Sequence, residues 1–246
     1  MSFRKIMKNN EGIIDFTRPI EHGMPIYPGE PEVSIEYRQT GQYATVALSL
    51  SSHSGTSVDT PKHIIPEGAT LDEYPLANWI SHGGIVAFRD LQEKDVIEPA
   101  DLENATAAFR DILPGSFLFI RTGWEAYWGK ENYFKHPYLS AASTEWLVKQ
   151  GVALVGIDAP NIDASWNNED IAHKTLLEND VLVVENLCNL TGCLSDVHSF
   201  VPLQEIFVIP MPLAKSDGAP VRVFASMKKN CDGCVDTEDL VPKKHS

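Results

Sequence analysis

The sequence lacks the features that mark several common classes of protein. No apolar run reaches the roughly 18 residues of a membrane-spanning helix, so a membrane protein is not expected. The stretch from Met1 to Glu11 has three basic residues but no apolar core, so a secretory signal peptide is not expected either. The 20 Lys+Arg are outnumbered by 34 Asp+Glu. The resulting formal charge of −14 argues against a surface that binds nucleic acid or an anionic membrane.

Cysteine is also scarce: the chain has Cys188, Cys193, Cys231 and Cys234. Few cysteines without a secretory signal predict a protein of the reducing cytoplasm. A chain of 246 residues buries roughly 70–75% of its unfolded surface, so it needs no disulfide or metal merely to fold. Its 43% hydrophobic and 22% charged residues are typical of a globular protein.

Two motifs of common enzyme classes are missing. There is no G-x-S-x-G pattern, which counts against a serine hydrolase. The Gly83-Gly84 pair lacks the context of a phosphate-binding loop and predicts a turn. His136, which precedes Pro137, and His198 are expected on surface loops.

Short β-rich runs alternate with a few helical windows, which predicts an α/β protein with a mixed, partly antiparallel sheet. Residues 44–51 alternate apolar and polar, so this run predicts a half-buried strand with Val46, Leu48 and Leu50 on one face. The other predicted strands are Gly12–Phe16, Gly84–Asp90, Ser116–Arg121, Val152–Asp158, Val181–Glu185, Phe207–Met211 and Val221–Ala225. The predicted helices are Pro99–Arg110, Ala141–Gln150 and Asn168–Asn179.

The domain organisation is expected to be simple. No Pro/Gly/Ser-rich linker divides the chain, so residues 1–227 are predicted to form one domain and residues 228–246 a polar tail. Cys231 and Cys234 form a C-x-x-C pair in this tail. With Cys188 and Cys193 they would make a Cys₄ zinc site only if the tail folded back; a redox pair or free thiols are the alternatives.

The segment from His53 to His63 carries the clearest chemical signal. His53, Asp59 and His63 lie within eleven residues around a glycine turn, directly after an alternating strand. Imidazole and carboxylate ligands suit Zn²⁺ or Mn²⁺, so His53 and Asp59 are candidate ligands of a divalent ion. A polar loop whose histidines make local hydrogen bonds is the alternative for this segment alone.

A second segment, from His173 to Glu185, favours the metal site. Glu185 ends the apolar run Val181–Val184, where a carboxylate is costly to bury unless it meets a cation or hydrogen-bond donors. A charged residue emerging at the end of a strand is the simpler explanation, so the functional interpretation depends on the pairing with the first segment.

Together these segments resemble the cyclase family of metal-dependent hydrolases, which includes bacterial kynurenine formamidases and isatin hydrolases. The family hallmark, H-x-G-T-H-x-D-x-P-x-H, stands here as His53-x-Gly55-Thr56-Ser57-x-Asp59-x-Pro61-x-His63. Further matching blocks are Gly23-Met24-Pro25-Ile26-Tyr27-Pro28-Gly29, Arg121-Thr122-Gly123-Trp124, Val155-Gly156-Ile157-Asp158, His173, Glu185 and Asp217-Gly218-Ala219-Pro220-Val221-Arg222.

This resemblance implies a swivelling β/β/α-type fold in a homodimer or homotetramer. It makes His53 and Asp59 metal ligands, with Asp59 able to bridge two ions. It also makes Glu185 a ligand or bridge from the other side, His173 a ligand of a second ion where there is one, and His63 the general acid/base. The implied cofactor is Zn or Mn.

The family also places an aromatic residue near the substrate, where this chain has Tyr27. Other aromatic candidates for a pocket wall are Trp79, Trp124, Tyr127, Trp128, Tyr133 and Phe134, although core packing explains most of them singly. Asp158 and Asp163 follow a predicted strand and either shape the rim of the site or cap a loop.

The sequence departs from the family at one position. The second histidine of the hallmark, a metal ligand, is Ser57 here, and an un-ionised hydroxyl is a poor ligand. Three outcomes are open: one metal held more weakly by His53, Asp59, Glu185 and water; another histidine, such as His22 or His82, in the gap; or a non-catalytic relative.

The sequence therefore predicts a metal-dependent hydrolase of a small cyclic or N-acyl amide, or of a lactone. His63 would take the proton of a metal-activated water and pass it to the leaving group. The alternative is a catalytically silent member of the family that binds a ligand or acts as a structural subunit.

Overall fold

The computed structural model describes residues 12–167, 169–193 and 200–226. The predicted tail with Cys231 and Cys234 lies outside these residues, and so does His198. The boundary near residue 228 and the role of the C-x-x-C pair therefore stay predictions.

The described segments contain three α-helices, α1 (Pro99–Thr106), α2 (Ala141–Gln150) and α3 (Ile171–Leu177). The strands are β1 (Ile13–Asp15), β2 (Ser34–Thr40), β3 (Tyr43–Ser49), β4 (Ser57–Asp59), β5 (Ile80–Ala87), β6 (Val96–Ile97), β7 (Phe117–Arg121), β8 (Tyr138–Leu139), β9 (Leu154–Ile157), β10 (Leu182–Glu185), β11 (Phe200–Pro210) and β12 (Gly218–Ser226). Short 3₁₀ turns are Pro61–His63, Leu71–Glu73, Leu76–Trp79, Ala107–Ile112, Trp124–Tyr127 and Leu190–Cys193. None of the described helices combines the length and the hydropathy needed to cross a lipid bilayer.

The main sheet closes on itself. Its strand order is β1-β12-β11-β5-β7-β9-β10-β4, and β4 also pairs with β12, so the strands from β12 round to β4 form a barrel. The pairs β5–β7, β7–β9 and β9–β10 are parallel. The other pairs of this sheet are antiparallel. This arrangement confirms an α/β fold with a mixed, partly antiparallel sheet. The swivelling β/β/α assignment stays a prediction.

Successive side chains of the parallel strands point to opposite faces of the sheet and pack into two separate cores. On β7, Phe117 and Phe119 join the cluster inside the barrel. Leu118 and Ile120 instead face the outer cluster, which includes Leu102 of α1. Full burial of one such side chain stabilises the fold by roughly 1.5–3 kcal/mol, so both faces hold the strand in register.

Local signals define α2, whose bounds match the predicted helix. The side chain of Ser140 accepts a hydrogen bond of 3.1 Å from the backbone N–H of Ser143, which satisfies one free donor of the first turn. Gly151 ends the helix in the left-handed conformation with φ 73°.

The prediction of a turn at Gly83-Gly84 is wrong, because both residues lie inside β5. A Cβ atom on Gly83 would stand 1.8 Å from the carbonyl oxygen of Phe117, and one on Gly84 would stand 2.4 Å from the ring of Phe200. Glycine is required here because neighbouring strands approach the β5 backbone too closely for a side chain.

The predicted strand at residues 44–51 is present as β3, but the prediction that it is half-buried is wrong. β3 pairs with β2 in a separate two-stranded sheet, and Val46 and Leu48 are 51% and 55% exposed. The strand register pairs Val46 with Tyr37 and Leu48 with Ile35. These side chains form an apolar face of the hairpin that is largely exposed to solvent. The alternating pattern of apolar and polar residues predicts the strand correctly. It does not show that the strand lies outside the barrel.

His136 is buried rather than exposed on a loop. Its Nε2 lies 2.7 Å from the hydroxyl of Ser165, and its Nδ1 donates to the Pro137 carbonyl at 2.9 Å. Both ring nitrogens are therefore satisfied without solvent.

Candidate metal centre

Two paired strands carry the carboxylates of the site to the outside of the barrel. β4 and β10 are antiparallel, with Ser57 opposite Glu185 and Asp59 opposite Val183. Val58 and Val184 belong to the core inside the barrel. Because successive side chains alternate, Ser57, Asp59 and Glu185 emerge on the outer face.

His173 reaches the same place from α3. The carboxylate of Asp163 accepts backbone N–H groups from Ala172 at 2.6 Å and from His173 at 2.9 Å. It also accepts the Nδ1–H of the His173 ring at 2.8 Å. These bonds fix the rotation of the ring and direct Nε2 towards the carboxylates of the two strands.

Asp59, His173 and Glu185 form one of two donor clusters at the site. Nε2 of His173 lies 3.4 Å from Oδ2 of Asp59 and 3.4 Å from Oε1 of Glu185. Both distances are long for an N–H···O hydrogen bond, whose usual value is about 2.9–3.0 Å. They match the edge of a tetrahedron of ligands about 2.1 Å from an ion, which is about 3.4 Å. The donor set therefore fits a divalent cation.

Burial and charge favour a cation at this cluster. Burial raises the pKa of Glu185. Burial would also raise the pKa of Asp59, but hydrogen bonds from His173 and His53 lower it. Burial opposes the charged form of His173, yet the carboxylates of Asp163, Asp59 and Glu185 raise its pKa well above the ordinary value. Three buried carboxylates around one imidazole leave negative charge that a bound cation would balance.

His53 connects Asp59 of this cluster to a carboxylate outside it, that of Asp217. Its Nδ1 lies 2.8 Å from Oδ1 of Asp59, and its Nε2 lies 2.9 Å from Oδ2 of Asp217. Since ionised carboxylates only accept hydrogen bonds, His53 needs a proton on both nitrogens or a cation beside one of them. Burial opposes protonation, but the hydrogen bonds to Asp217 and Asp59 raise the pKa of His53 to about 10.

His63 stands beside His53 at the end of the 3₁₀ turn Pro61–His63. Its ring centre is 4.2 Å from that of His53 and 5.8 Å from that of His173. Nδ1 of His63 lies 3.2 Å from the same Asp217 oxygen that His53 contacts. One third of its side chain is exposed, so a small molecule in the cavity can contact it.

A cavity of about 340 Å³ opens over these groups. Tyr27 lies in its wall; its hydroxyl accepts a hydrogen bond of 3.3 Å from Asn161, and its ring packs edge-on against Phe134 at 5.8 Å. Trp128, Tyr133 and Phe134 line the same wall, and Tyr133 also belongs to the outer core. Trp79 and Trp124 are instead buried in the two cores, and Tyr127 packs against the outer one.

Ser57 is buried on β4, between Glu185 of β10 and Pro220 of β12. His22 is exposed, and Nε2 of His82 donates to the Ile112 carbonyl at 3.0 Å. Among the described residues, neither histidine joins the two donor clusters, which are Asp59, His173, Glu185 and His53, His63, Asp217. The alternative that one of these histidines replaces the missing ligand therefore has no support.

The sequence predicts Asp163 at the rim of the site or in a loop cap, and it predicts no separate role for Asp217. In the structure Asp163 accepts hydrogen bonds from the backbone of α3 and from the His173 ring. Asp158 caps a loop: its carboxylate accepts the Thr122 N–H at 2.8 Å and the Gly123 N–H at 2.8 Å. Asp217 is the first residue of the block 217–222 that matches the family. That match is the sequence signal that could have identified Asp217 as a residue of the site.

A closed mixed barrel with a histidine and carboxylate cluster under an aromatic cavity defines a candidate hydrolase centre. The Cyclase family model matches residues 14–164, more than half of the chain, so the chain belongs to the Cyclase family. A kynurenine formamidase from Erythrobacter litoralis (strain HTCC2594) is 28% identical over 221 residues, covering 88% of this chain and 94% of that protein. The predicted membership of this family is thereby confirmed.

Solved structures agree with this assignment. An isatin hydrolase bound to the product analogue thioisatinate has a TM-score of 0.79 at 18% identity, over 88% of this chain and 92% of that one. A predicted metal-dependent hydrolase from Bacillus stearothermophilus has a TM-score of 0.67 at 26% identity, over 87% and 97% respectively. The first likeness supports the fold, and the second also has a related sequence.

Proposed function

We propose that this chain hydrolyses the C–N bond of a small aromatic N-acyl or cyclic amide, or the related bond of a lactone, with the help of a divalent metal. The observation that carries the proposal is the convergence of Asp59, His173 and Glu185 with His63 at one aromatic cavity. Kynurenine formamidase and isatin hydrolase relatives support the same class of substrate.

Asp59, His173 and Glu185 would hold the ion, since their donor atoms have the required spacing. Histidine with carboxylates suits both Zn²⁺ and Mn²⁺, and the proposal covers either. When bound, such an ion lowers the pKa of water and polarises a carbonyl group. The predicted ligand roles of His53 and Ser57 stay predictions: His53 contacts carboxylates through both nitrogens, and Ser57 lies outside the trio.

The side chains of the cavity supply the remaining steps. Tyr27, Trp128 and Phe134 present ring surface to an aryl group and hold its amide towards the carboxylates. His63 takes the proton of the attacking water and donates it to the leaving nitrogen or oxygen. The water oxygen bonds to the carbonyl carbon, the bond from that carbon to the leaving nitrogen or oxygen breaks, and the proton from water goes to the leaving atom.

The catalytically silent alternative has no supporting observation among the described residues. His63 and the complete Asp59, His173 and Glu185 trio are what a hydrolase needs, and all four line the cavity. The homodimer or homotetramer, the cytoplasmic location and the absence of nucleic-acid or membrane partners stay predictions.

The test starts from purified full-length protein stripped with a chelator and reloaded with Zn²⁺ or Mn²⁺. Metal content is measured by mass spectrometry, and turnover is measured on N-formylkynurenine, isatin and simple lactones. We expect metal-dependent turnover of at least one aryl amide, lost in His173→Asn and kept in His82→Asn, a matched histidine outside the site. No turnover with either metal on any of these substrates would overturn the proposal.

A further inference from the structure

Asp217 links the two histidines at the mouth of the cavity. Its Oδ2 lies 2.9 Å from Nε2 of His53 and 3.2 Å from Nδ1 of His63. The residue precedes β12, whereas both histidines belong to the hallmark segment more than 150 positions earlier in the chain. This contact is therefore made by the closure of the barrel and not by local sequence.

The carboxylate is held in place from several directions. Oδ1 of Asp217 accepts a hydrogen bond of 2.9 Å from the hydroxyl of Ser52. The Asp217 carbonyl accepts the backbone N–H of Thr60 at 2.9 Å and its hydroxyl at 3.0 Å. At the next residue, a Cβ on Gly218 would stand 2.3 Å from the Val58 carbonyl oxygen, so this backbone lies directly against β4. Asp217 is thus a rigid acceptor.

A rigid acceptor has a definite effect on the imidazole beside it. Because the Asp217 carboxylate only accepts, the Nδ1 of His63 must carry the hydrogen between them. In the neutral ring this leaves the lone pair on Nε2, the atom available to take a proton from water. The hydrogen bond also restricts rotation of a side chain that is otherwise one third exposed.

We propose that Asp217 is the positioning residue for His63: it selects the tautomer with a free Nε2 and holds that nitrogen towards the substrate. This inference rests on the proposed function, in which His63 is the general acid/base. Asp217 lies outside the proposed metal trio and is not among the residues that line the cavity, so its removal affects turnover through His63. Its second contact, with His53, makes it necessary to separate the two histidines by experiment.

The principal variant is Asp217→Asn, which keeps the shape of the side chain and removes its negative charge. We expect kcat to fall about 100-fold, within the range of general acid–base catalysis, with KM changed less than about 3-fold. Metal content should stay equal to that of the wild type. Asp217→Glu should restore part of the loss. Asp72→Asn is the matched control, because Asp72 anchors the same segment through the Lys215 N–H at 2.8 Å without contacting a histidine.

A double variant separates His63 from His53. If Asp217 acts through His63, the Asp217→Asn/His63→Ala double variant is no slower than His63→Ala alone. Additive losses, or a loss of kcat in Asp72→Asn as large as in Asp217→Asn, would overturn the proposal. Loss of metal from Asp217→Asn would do so as well.

A measurement without turnover distinguishes failure of this inference from failure of the proposed function. In the ¹⁵N spectrum of the wild type, the His63 ring, assigned with His63→Ala, should show a protonated Nδ1 and a bare Nε2. Asp217→Asn should shift the ring towards a mixture of tautomers. A wild-type His63 protonated at Nε2 alone would contradict the positioning role whether or not any substrate is turned over.

Discussion

Asp163 accepts the Nδ1–H of His173 at 2.8 Å and, through the same oxygen, its backbone N–H at 2.9 Å. The carboxylate therefore fixes both the start of α3 and the ring that faces Asp59 and Glu185. Partners of this kind orient metal-binding histidines and raise their basicity.

Asp163→Asn should weaken metal binding by about 10- to 100-fold, because the amide is neutral and is a poorer acceptor for the ring N–H. Affinity is measured by competition with a chelator of known strength. Asp170→Asn is the control, since Asp170 precedes the same helix and no hydrogen bond joins it to the His173 ring. Equal affinities for the wild type and Asp163→Asn would show that this orientation is unimportant.

Ser57 offers a test of how many ions the site holds. It lies opposite Glu185 on the face that carries Asp59, where the family hallmark has a histidine. Ser57→His should add a nitrogen ligand beside Asp59 and raise the content from about one ion per chain to about two. Mass spectrometry after dialysis measures this content, and Ser57→Asn controls for the larger side chain. Unchanged stoichiometry in Ser57→His would count against the binding of a second ion beside Asp59.

His63 should be separable from the metal. Its ring is hydrogen-bonded to Asp217, which lies outside the Asp59, His173 and Glu185 trio. His63→Ala should therefore keep its metal while kcat falls about 10²- to 10⁴-fold. Replacing the exposed His22 with alanine is the control. Full turnover by metal-loaded His63→Ala would exclude the general acid/base role.

Local signals explain why much of the fold could be predicted. α2 has a serine at its start and a glycine after its end, and its predicted and observed bounds agree. β7 and β10 are apolar runs, found within a residue of their predicted bounds. The hallmark residues also lie close together in the chain, so His53, Asp59 and His63 are brought together by one loop and one short strand.

Long-range contacts explain what could not be predicted. Asp217 meets His63 only because β12 pairs with β4 across the barrel closure. The exposure of Val46 depends on where the β2–β3 hairpin points, which an alternating pattern does not encode. The sequence predicts Gly83 as a turn residue, because it does not show that the Phe117 carbonyl lies too close to Gly83 for a side chain. In each case the deciding neighbour lies far away in sequence.

His136 predicts a loss of stability in mild acid. Burial lowers the pKa of its imidazole from 6.5 to about 4, although the Pro137 carbonyl and Asp163 partly oppose this. Between these two pH values the unfolded chain binds a proton that the folded chain excludes. Stability therefore falls as the pH drops below 6.5, by about 2 kcal/mol on reaching pH 5.

His136→Asn should remove this dependence while keeping a donor to the Pro137 carbonyl. Urea unfolding is measured at several pH values between 7 and 5 with a chelator present, so that metal release does not contribute. His53 and His173 have raised pKa values and act in the opposite direction, so the informative quantity is the difference between wild type and variant. That difference should shrink as the pH falls, whereas the difference between wild type and His82→Asn should change less. A constant difference for His136→Asn would mean that the buried ring binds its proton as readily in the folded chain as in the unfolded chain.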